Sequence, residues 1–257
     1  MQTKIELKPN LSILFIGDSI TDAGRLEAAY RPFGYGYVHF VAYHLLAKYP
    51  EYNLNIINTG ISGDTILDLN DRWEKDCLNY KPDILSVLIG INDVFRQYIG
   101  RADEAVLLDE YQLTYKRLLS LVREKYNCSM ILIEPFMFCD DKANPAYKAL
   151  QQYIHAVRAL AEEFDAVLVP LQELIDKKIE KSRRENSPMT WFILTCGRTH
   201  GSHSAGSKQQ NSNLRSGARP FREDENFFFF IDSVSARTKN EAKEFTPKNS
   251  NFRLYTL

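Results

Sequence analysis

The stretch Leu11-Ser12-Ile13-Leu14-Phe15-Ile16-Gly17-Asp18-Ser19-Ile20-Thr21-Asp22 is an apolar run that ends in a turn with a serine at its tip. Residues 11–16 predict a buried strand, and Gly17 permits a sharp turn after it. Thr21 and Asp22 suit the start of a helix. A serine in this place presents its hydroxyl at the carboxyl edge of a sheet, where open α/β folds bind ligands. The strand–turn–helix arrangement follows the mechanical logic of other hydrolase nucleophile elbows with a different local sequence. Gly-Asp-Ser alone also fits an ordinary turn, so the rest of the chain has to decide.

Outward from this stretch, apolar runs alternate with helical periodicity. Strands are predicted over residues 54–58, 84–89, 130–133 and 166–169. The run over 84–89 is apolar nearly throughout, as expected of a strand covered on both faces. Helices are predicted over 37–48, 65–78, 104–126, 147–164 and 171–181. In the helix over 65–78, Ile66, Leu69, Trp73 and Cys77 form the apolar side, and Asp68, Arg72, Lys75 and Asp76 the polar side. This alternation implies a parallel sheet wrapped by helices with right-handed crossovers.

Composition narrows the function classes. With 44% hydrophobic and 25% charged residues, the chain has the make-up of a soluble globular protein with enough apolar material for a core. A net charge of −1 gives no field that would gather nucleic acid or an anionic membrane. The start of the chain does not read as a secretory signal, and no run approaches a membrane span. Cys77, Cys128, Cys139 and Cys196 are widely spaced and read as free thiols in a reducing, cytoplasmic compartment. Cys196, His200 and His203 make a poor metal set of only three ligands.

If the first turn holds a nucleophile, its partners should stand in the turns after the next two strands. After the second strand comes Asn58-Thr59-Gly60-Ile61-Ser62-Gly63-Asp64-Thr65, whose glycines let main-chain N–H groups face a ligand. A βα loop that needs glycine for its turn would look the same. After the third strand comes Gly90-Ile91-Asn92-Asp93-Val94. The Asn92 amide suits a developing oxyanion, and an asparagine there also suits a helix cap. A serine, backbone donors and an amide donor at one sheet edge are together the equipment for acyl transfer.

Gly17-Asp18-Ser19, Gly63 and Gly90-Ile91-Asn92-Asp93 resemble the first three signature blocks of the SGNH (GDSL-type) hydrolases. The wider stretches Ile16-Gly17-Asp18-Ser19-Ile20-Thr21-Asp22, Gly60-Ile61-Ser62-Gly63, Arg72-Trp73-Glu74, Ile89-Gly90-Ile91-Asn92-Asp93-Val94 with Arg96-Gln97-Tyr98, and Asp109-Glu110-Tyr111 are similar to the bacterial acetylxylan-esterase branch. The similarity runs from about residue 11 to 180. It implies a flavodoxin-like three-layer α/β/α fold with a central parallel five-stranded sheet. It also implies Ser19 as nucleophile and an oxyanion hole from the N–H of Ser19, the N–H of Gly63 and the side chain of Asn92. The implied substrate is a small acyl ester, such as an acetylated sugar, and the mechanism requires no cofactor and no metal.

The fourth block departs from the family pattern. The family supplies its base as Asp-x-x-His, the aspartate orienting the imidazole that takes the serine proton. Here Arg198-Thr199-His200-Gly201-Ser202 stands about where the branch carries that block, with Gly197 in place of the aspartate. His200 is the candidate base, without its partner carboxylate, and impaired activity is expected. His39, His44 and His155 lie on helical patterns and read as surface or packing residues. From about residue 182 the chain turns polar, and residues 202–222 are mostly Ser, Gly, Asn, Gln and Arg around little that could be buried. Such a segment cannot offset its ordering entropy. The expected organisation is a hydrolase-like domain over 1–206 and an atypical, poorly ordered tail over 207–257, with an isolated apolar knot at Phe227-Phe228-Phe229-Phe230-Ile231. Two accounts fit this composition: a shifted reading frame late in the coding sequence, and divergence to a weakened or silent enzyme. Two other functions are compatible with the same residues: a catalytically silent binding protein, and a lysophospholipase or thioesterase of the same fold.

Overall fold

The structure, a computed structural model, describes residues 5–139 and 141–184 and the short strand Val234–Ser235. His200, His203, Cys196, Gly197 and the 227–231 knot lie outside the described residues, as does the tail of 207–257 apart from that strand.

Five parallel strands form the central sheet: β2 (Ser12–Gly17), β3 (Asn55–Asn58), β4 (Ile84–Leu88), β5 (Ser129–Ile133) and β6 (Val167–Val169). Their order, β3-β2-β4-β5-β6, is the flavodoxin-like order. A two-residue strand, β1 (Ile5–Glu6), pairs in parallel with β7 (Val234–Ser235). All five residues of β4 are buried, because the strand has neighbours on both edges and helices on both faces.

The helices divide between the two faces. Cys77 and the apolar sides of α3 (Ile66–Asp76), α5 (Leu108–Lys125) and α6 (Pro145–Glu163) pack on one face, around Leu14, Ile16, Leu85, Val87, Met130 and Leu132. On the other, Val38, Val41 and Leu45 of α2 (Tyr37–Lys48) and Leu171 of α7 (Leu171–Arg184) cover Ile13, Phe15, Ile84, Leu88, Ile131 and Ile133. Alternate residues of each strand thus serve opposite layers, as a pleated strand requires. No helix among the described residues is long and apolar enough to cross a membrane.

Local signals explain most boundaries. Thr65 and Asp68 make a capping box at the start of α3, and Asn144 caps α6 with Pro145 in its first turn. Three expectations need correction. The helix after the first turn, α1 (Ser19–Asp22), begins at Ser19 with Asp18 as its cap, two residues earlier than Thr21 and Asp22 suggested. The helix expected over 104–126 begins at Leu108, because Ala102–Glu104 closes a separate 3-10 turn in which Arg101 pairs with Glu104. A five-residue helix, α4 (Ile91–Phe95), stands where only a loop was expected.

Candidate active site

The turns after β2, β3 and β4 meet at the carboxyl edge of the sheet. Strands β2 and β4 are neighbours with Gly17 opposite Leu88, so their turns leave the sheet at one level. A Cβ on Gly17 would lie 2.1 Å from the Leu88 carbonyl oxygen, so only glycine fits this approach. The second turn continues alongside β2: Thr59 N–H donates to the Phe15 carbonyl at 2.9 Å and Ile61 N–H to the Gly17 carbonyl at 3.0 Å. Asn58 is buried and staples this turn to α1, donating to the Thr21 carbonyl at 2.7 Å and accepting from Gly60 N–H at 2.9 Å.

Ser19 opens α1 and is exposed. Asp18, wholly buried beside it, accepts from Ile20 N–H at 2.9 Å. Burial pushes the Asp18 carboxyl up to about 7, and the nearby carboxylates of Asp93 and Asp64 push the same way. Gly63 is exposed with φ +92°, a conformation in which L side chains are strained, although a Cβ there would meet nothing within 4 Å. Its need for glycine is therefore conformational rather than steric.

Helix α4 and Arg96 after it brace this loop and the start of α3 through three contacts. Asn92 donates its side-chain amide to the Asp64 carbonyl at 2.8 Å. The buried Asp93 accepts from Ile66 N–H at 2.9 Å. Arg96, just past the helix, donates to the Gly63 carbonyl. Asn92 is half-buried inside α4 and does not cap it, because Gly90 takes that place. Burial raises the Asp93 carboxyl to about 7, against the lowering effect of its bond to Ile66.

Arg72 ties the other side. Its Nε meets the Asp64 carboxylate at 2.7 Å and its Nη1 donates to the Thr59 carbonyl at 2.7 Å. Nη1 also meets Asp76 at 3.1 Å, and Nη2 donates to the Gly17 carbonyl at 3.1 Å. Asp64 is raised by burial and lowered by Arg72, with the net shift upward. The periodicity of α3 put Arg72 among solvated polar residues, yet its side chain is only 12% exposed and reaches two main-chain carbonyls. A long cation eight residues from one aspartate and four from another was the available signal.

The architecture thus brings the turns bearing Ser19, Gly63 and Asn92 to one sheet edge. His39 packs against Phe40 and Tyr43, and His155 is exposed on α6. Cys77 and Cys128 are free thiols, both buried.

The model of the GDSL-like lipase/acylhydrolase family matches residues 15–189. The chain belongs to this family. Among curated relatives, an acetylxylan esterase from Geobacillus stearothermophilus is 39% identical over 174 residues, covering 65% of this chain and 79% of that protein. The crystal structure of Axe2, an acetylxylan esterase from the same organism, matches with a TM-score of 0.65 and 36% identity, over 68% of this chain and 83% of that one. LAE5, an α/β hydrolase enzyme from the metagenome of Lake Arreo in Spain, matches with a TM-score of 0.64 and 32% identity, over 68% of this chain and 83% of that one. Structures of Axe2 catalytic mutants, with a serine, an aspartate or a histidine replaced by alanine, match as well. The fold expected of a GDSL hydrolase, a five-stranded parallel sheet between helical layers, is the fold this chain adopts.

Proposed function

We propose that this chain is a serine esterase for short acyl esters, acetyl esters of carbohydrates first among them. Ser19 is the nucleophile, and the N–H groups of Ser19 and Gly63 with the side chain of Asn92 form the oxyanion hole. The observation that carries this reading is the bracing of the Gly63 loop by α4, with Asn92 bonded to the Asp64 carbonyl at 2.8 Å. It supports an amide donor and a glycine N–H acting together beside the serine turn.

In this mechanism the Ser19 hydroxyl attacks the ester carbonyl and passes its proton to a base. The carbonyl oxygen, now an oxyanion, accepts the three donors. Collapse expels the alcohol, which takes the proton back from the base, and water then attacks the acyl-serine by the same steps to release the carboxylate. His200 is the proposed base, with Gly197 standing where the family pattern has an aspartate. Loss of the orienting carboxylate of a triad costs roughly ten-thousandfold in kcat, while an oxyanion hole still accelerates the reaction over water. The proposed activity is therefore slow. The catalytic mutants of Axe2 include one at a serine and one at a histidine, which supports a catalytic part for residues of these two types.

The glycine at position 197 also favours a second reading, a silent binding protein that keeps the pocket. Hydrolysis of p-nitrophenyl acetate and acetylated xylo-oligosaccharides, with fluorophosphonate labelling, separates the two. Slow turnover and labelling that both vanish in Ser19→Ala support the esterase. An unlabelled Ser19 with no turnover supports the binding protein. Turnover unchanged in Ser19→Ala overturns the nucleophile. Faster cleavage of long-chain esters than of acetates would replace the acetyl-esterase reading with a lysophospholipase or thioesterase.

A further inference from the structure

We propose that Arg72 is a positioning residue for this reaction, its guanidinium locking the nucleophile turn and the oxyanion loop into one frame. The inference deepens the esterase reading and rests on it. Four contacts carry it. Arg72 Nη2 holds the Gly17 carbonyl at 3.1 Å, two residues before Ser19. Nη1 holds the Thr59 carbonyl at 2.7 Å, where the second turn leaves β3, and Asp76 at 3.1 Å. Nε holds the carboxylate of Asp64 at 2.7 Å, the residue whose own carbonyl receives Asn92. One side chain thereby connects all three turns: directly to the first two, and through Asp64 to the third.

The frame is rigid for identifiable reasons. Leu69 and Trp73 bury the adjoining apolar side of α3, and the capping box of Thr65 and Asp68 fixes its start. A guanidinium presents five N–H groups in one plane, so the directions of its contacts are set by its own geometry. Lysine offers a point charge and cannot hold two carbonyls and two carboxylates along these directions. Ion pairs with Asp64 and Asp76 compensate its charge in this half-buried place. Two of the groups it holds are main-chain carbonyls in the turns that bear the proposed nucleophile and donors. A displacement there moves the donors relative to Ser19 without touching the substrate, and about 1 Å of misplacement can cost roughly a hundredfold in rate.

The test compares Arg72→Met and Arg72→Lys with the parent chain in two independent measurements. In p-nitrophenyl acetate hydrolysis, Arg72→Met lowers kcat by roughly 10- to 100-fold with KM within about twofold. The same change made on an Asn92→Ala background costs less than about threefold, since the frame then has less of the oxyanion hole to position. In amide hydrogen exchange, residues 60–65 exchange faster in Arg72→Met, while residues 131–133 at the other side of the sheet keep their protection. Arg72→Lys keeps the charge and guards against a folding defect: it reproduces the kcat loss at an unchanged Tm. Full kcat in Arg72→Met overturns the proposal, as does an equal loss in the Asn92→Ala background or faster exchange throughout the molecule. If the parent chain hydrolyses nothing, the esterase reading fails by itself. The exchange measurement still decides the frame, with unchanged exchange at 60–65 overturning it.

Discussion

The side-chain amide of Asn92 donates to the main-chain carbonyl of Asp64 at 2.8 Å, so one of its two N–H bonds is committed to the loop that carries Gly63. A carboxamide has two such bonds, and in the proposed mechanism the second is the one that meets the oxyanion. The first bond fixes the direction of the second. In Asn92→Ala, kcat for an aryl acetate is expected to fall by roughly 100- to 1000-fold with KM little changed, because an oxyanion forms only in the transition state. Steady-state kinetics on parent and variant check this.

Two glycines of the site are expected to respond differently to alanine. At Gly17 the new Cβ would sit 2.1 Å from a backbone oxygen of the neighbouring strand. Gly17→Ala must separate β2 from β4, and a loss of about 4 kcal/mol or more is expected. Gly63 has open space and a positive φ, so Gly63→Ala is expected to cost about 1–3 kcal/mol of strain and still fold. Urea unfolding of both variants measures the contrast.

Asp18 and Asp93 make stability depend on pH. Both carboxyls are raised to about 7 by burial, well above the range of an unfolded chain. Between about pH 4 and pH 7 the folded protein keeps protons that the unfolded chain releases. Their contribution is therefore complete below about pH 4 and is lost as pH rises through 7. Asp93→Asn keeps an acceptor for Ile66 N–H and removes the titration. Its urea midpoint is expected to fall less between pH 5 and pH 8 than that of the parent, and Asp18→Asn should behave alike.

Helix α3 separates core from surface within two adjacent residues. Trp73 is 2% exposed, and Trp73→Ala is expected to cost about 3–5 kcal/mol. Its neighbour Glu74 meets Lys125 at 3.2 Å on the surface, and Glu74→Ala is expected to cost less than about 1 kcal/mol. Denaturant midpoints at fixed m-value give both numbers.

The strands were legible because each is a short apolar run closed by a turn, and the sheet order follows from alternation with helices. Errors arose where two local signals competed. Asp18 and Thr21 both suit a helix cap, and only the burial of Asp18 against Ile20 N–H decides between them. Leu107 carries the helical period of α5 back past its real start, where Arg101 has drawn Glu104 into a separate turn. Five residues are too few for α4 to show a period. Ser19, Gly63 and Asn92 could be named because each lies just past a strand, in a stretch that resembles a signature block of the family. Arg72 was legible only in part: its spacing from Asp64 and Asp76 signals ion pairs, but the distant main-chain carbonyls it also holds are partners that no spacing of side chains encodes.

The pairing of Gly17 with Leu88 has a consequence for how such a site can change. The gap between the serine turn and the helix that carries Asn92 begins as the distance between hydrogen-bonded strands, about 4.8 Å, a spacing of the backbone that substitutions at the rim leave unaltered. Descendants of this scaffold can redraw the rim and so choose new esters. The span between the two strands that frame the proposed oxyanion hole passes to them with the sheet.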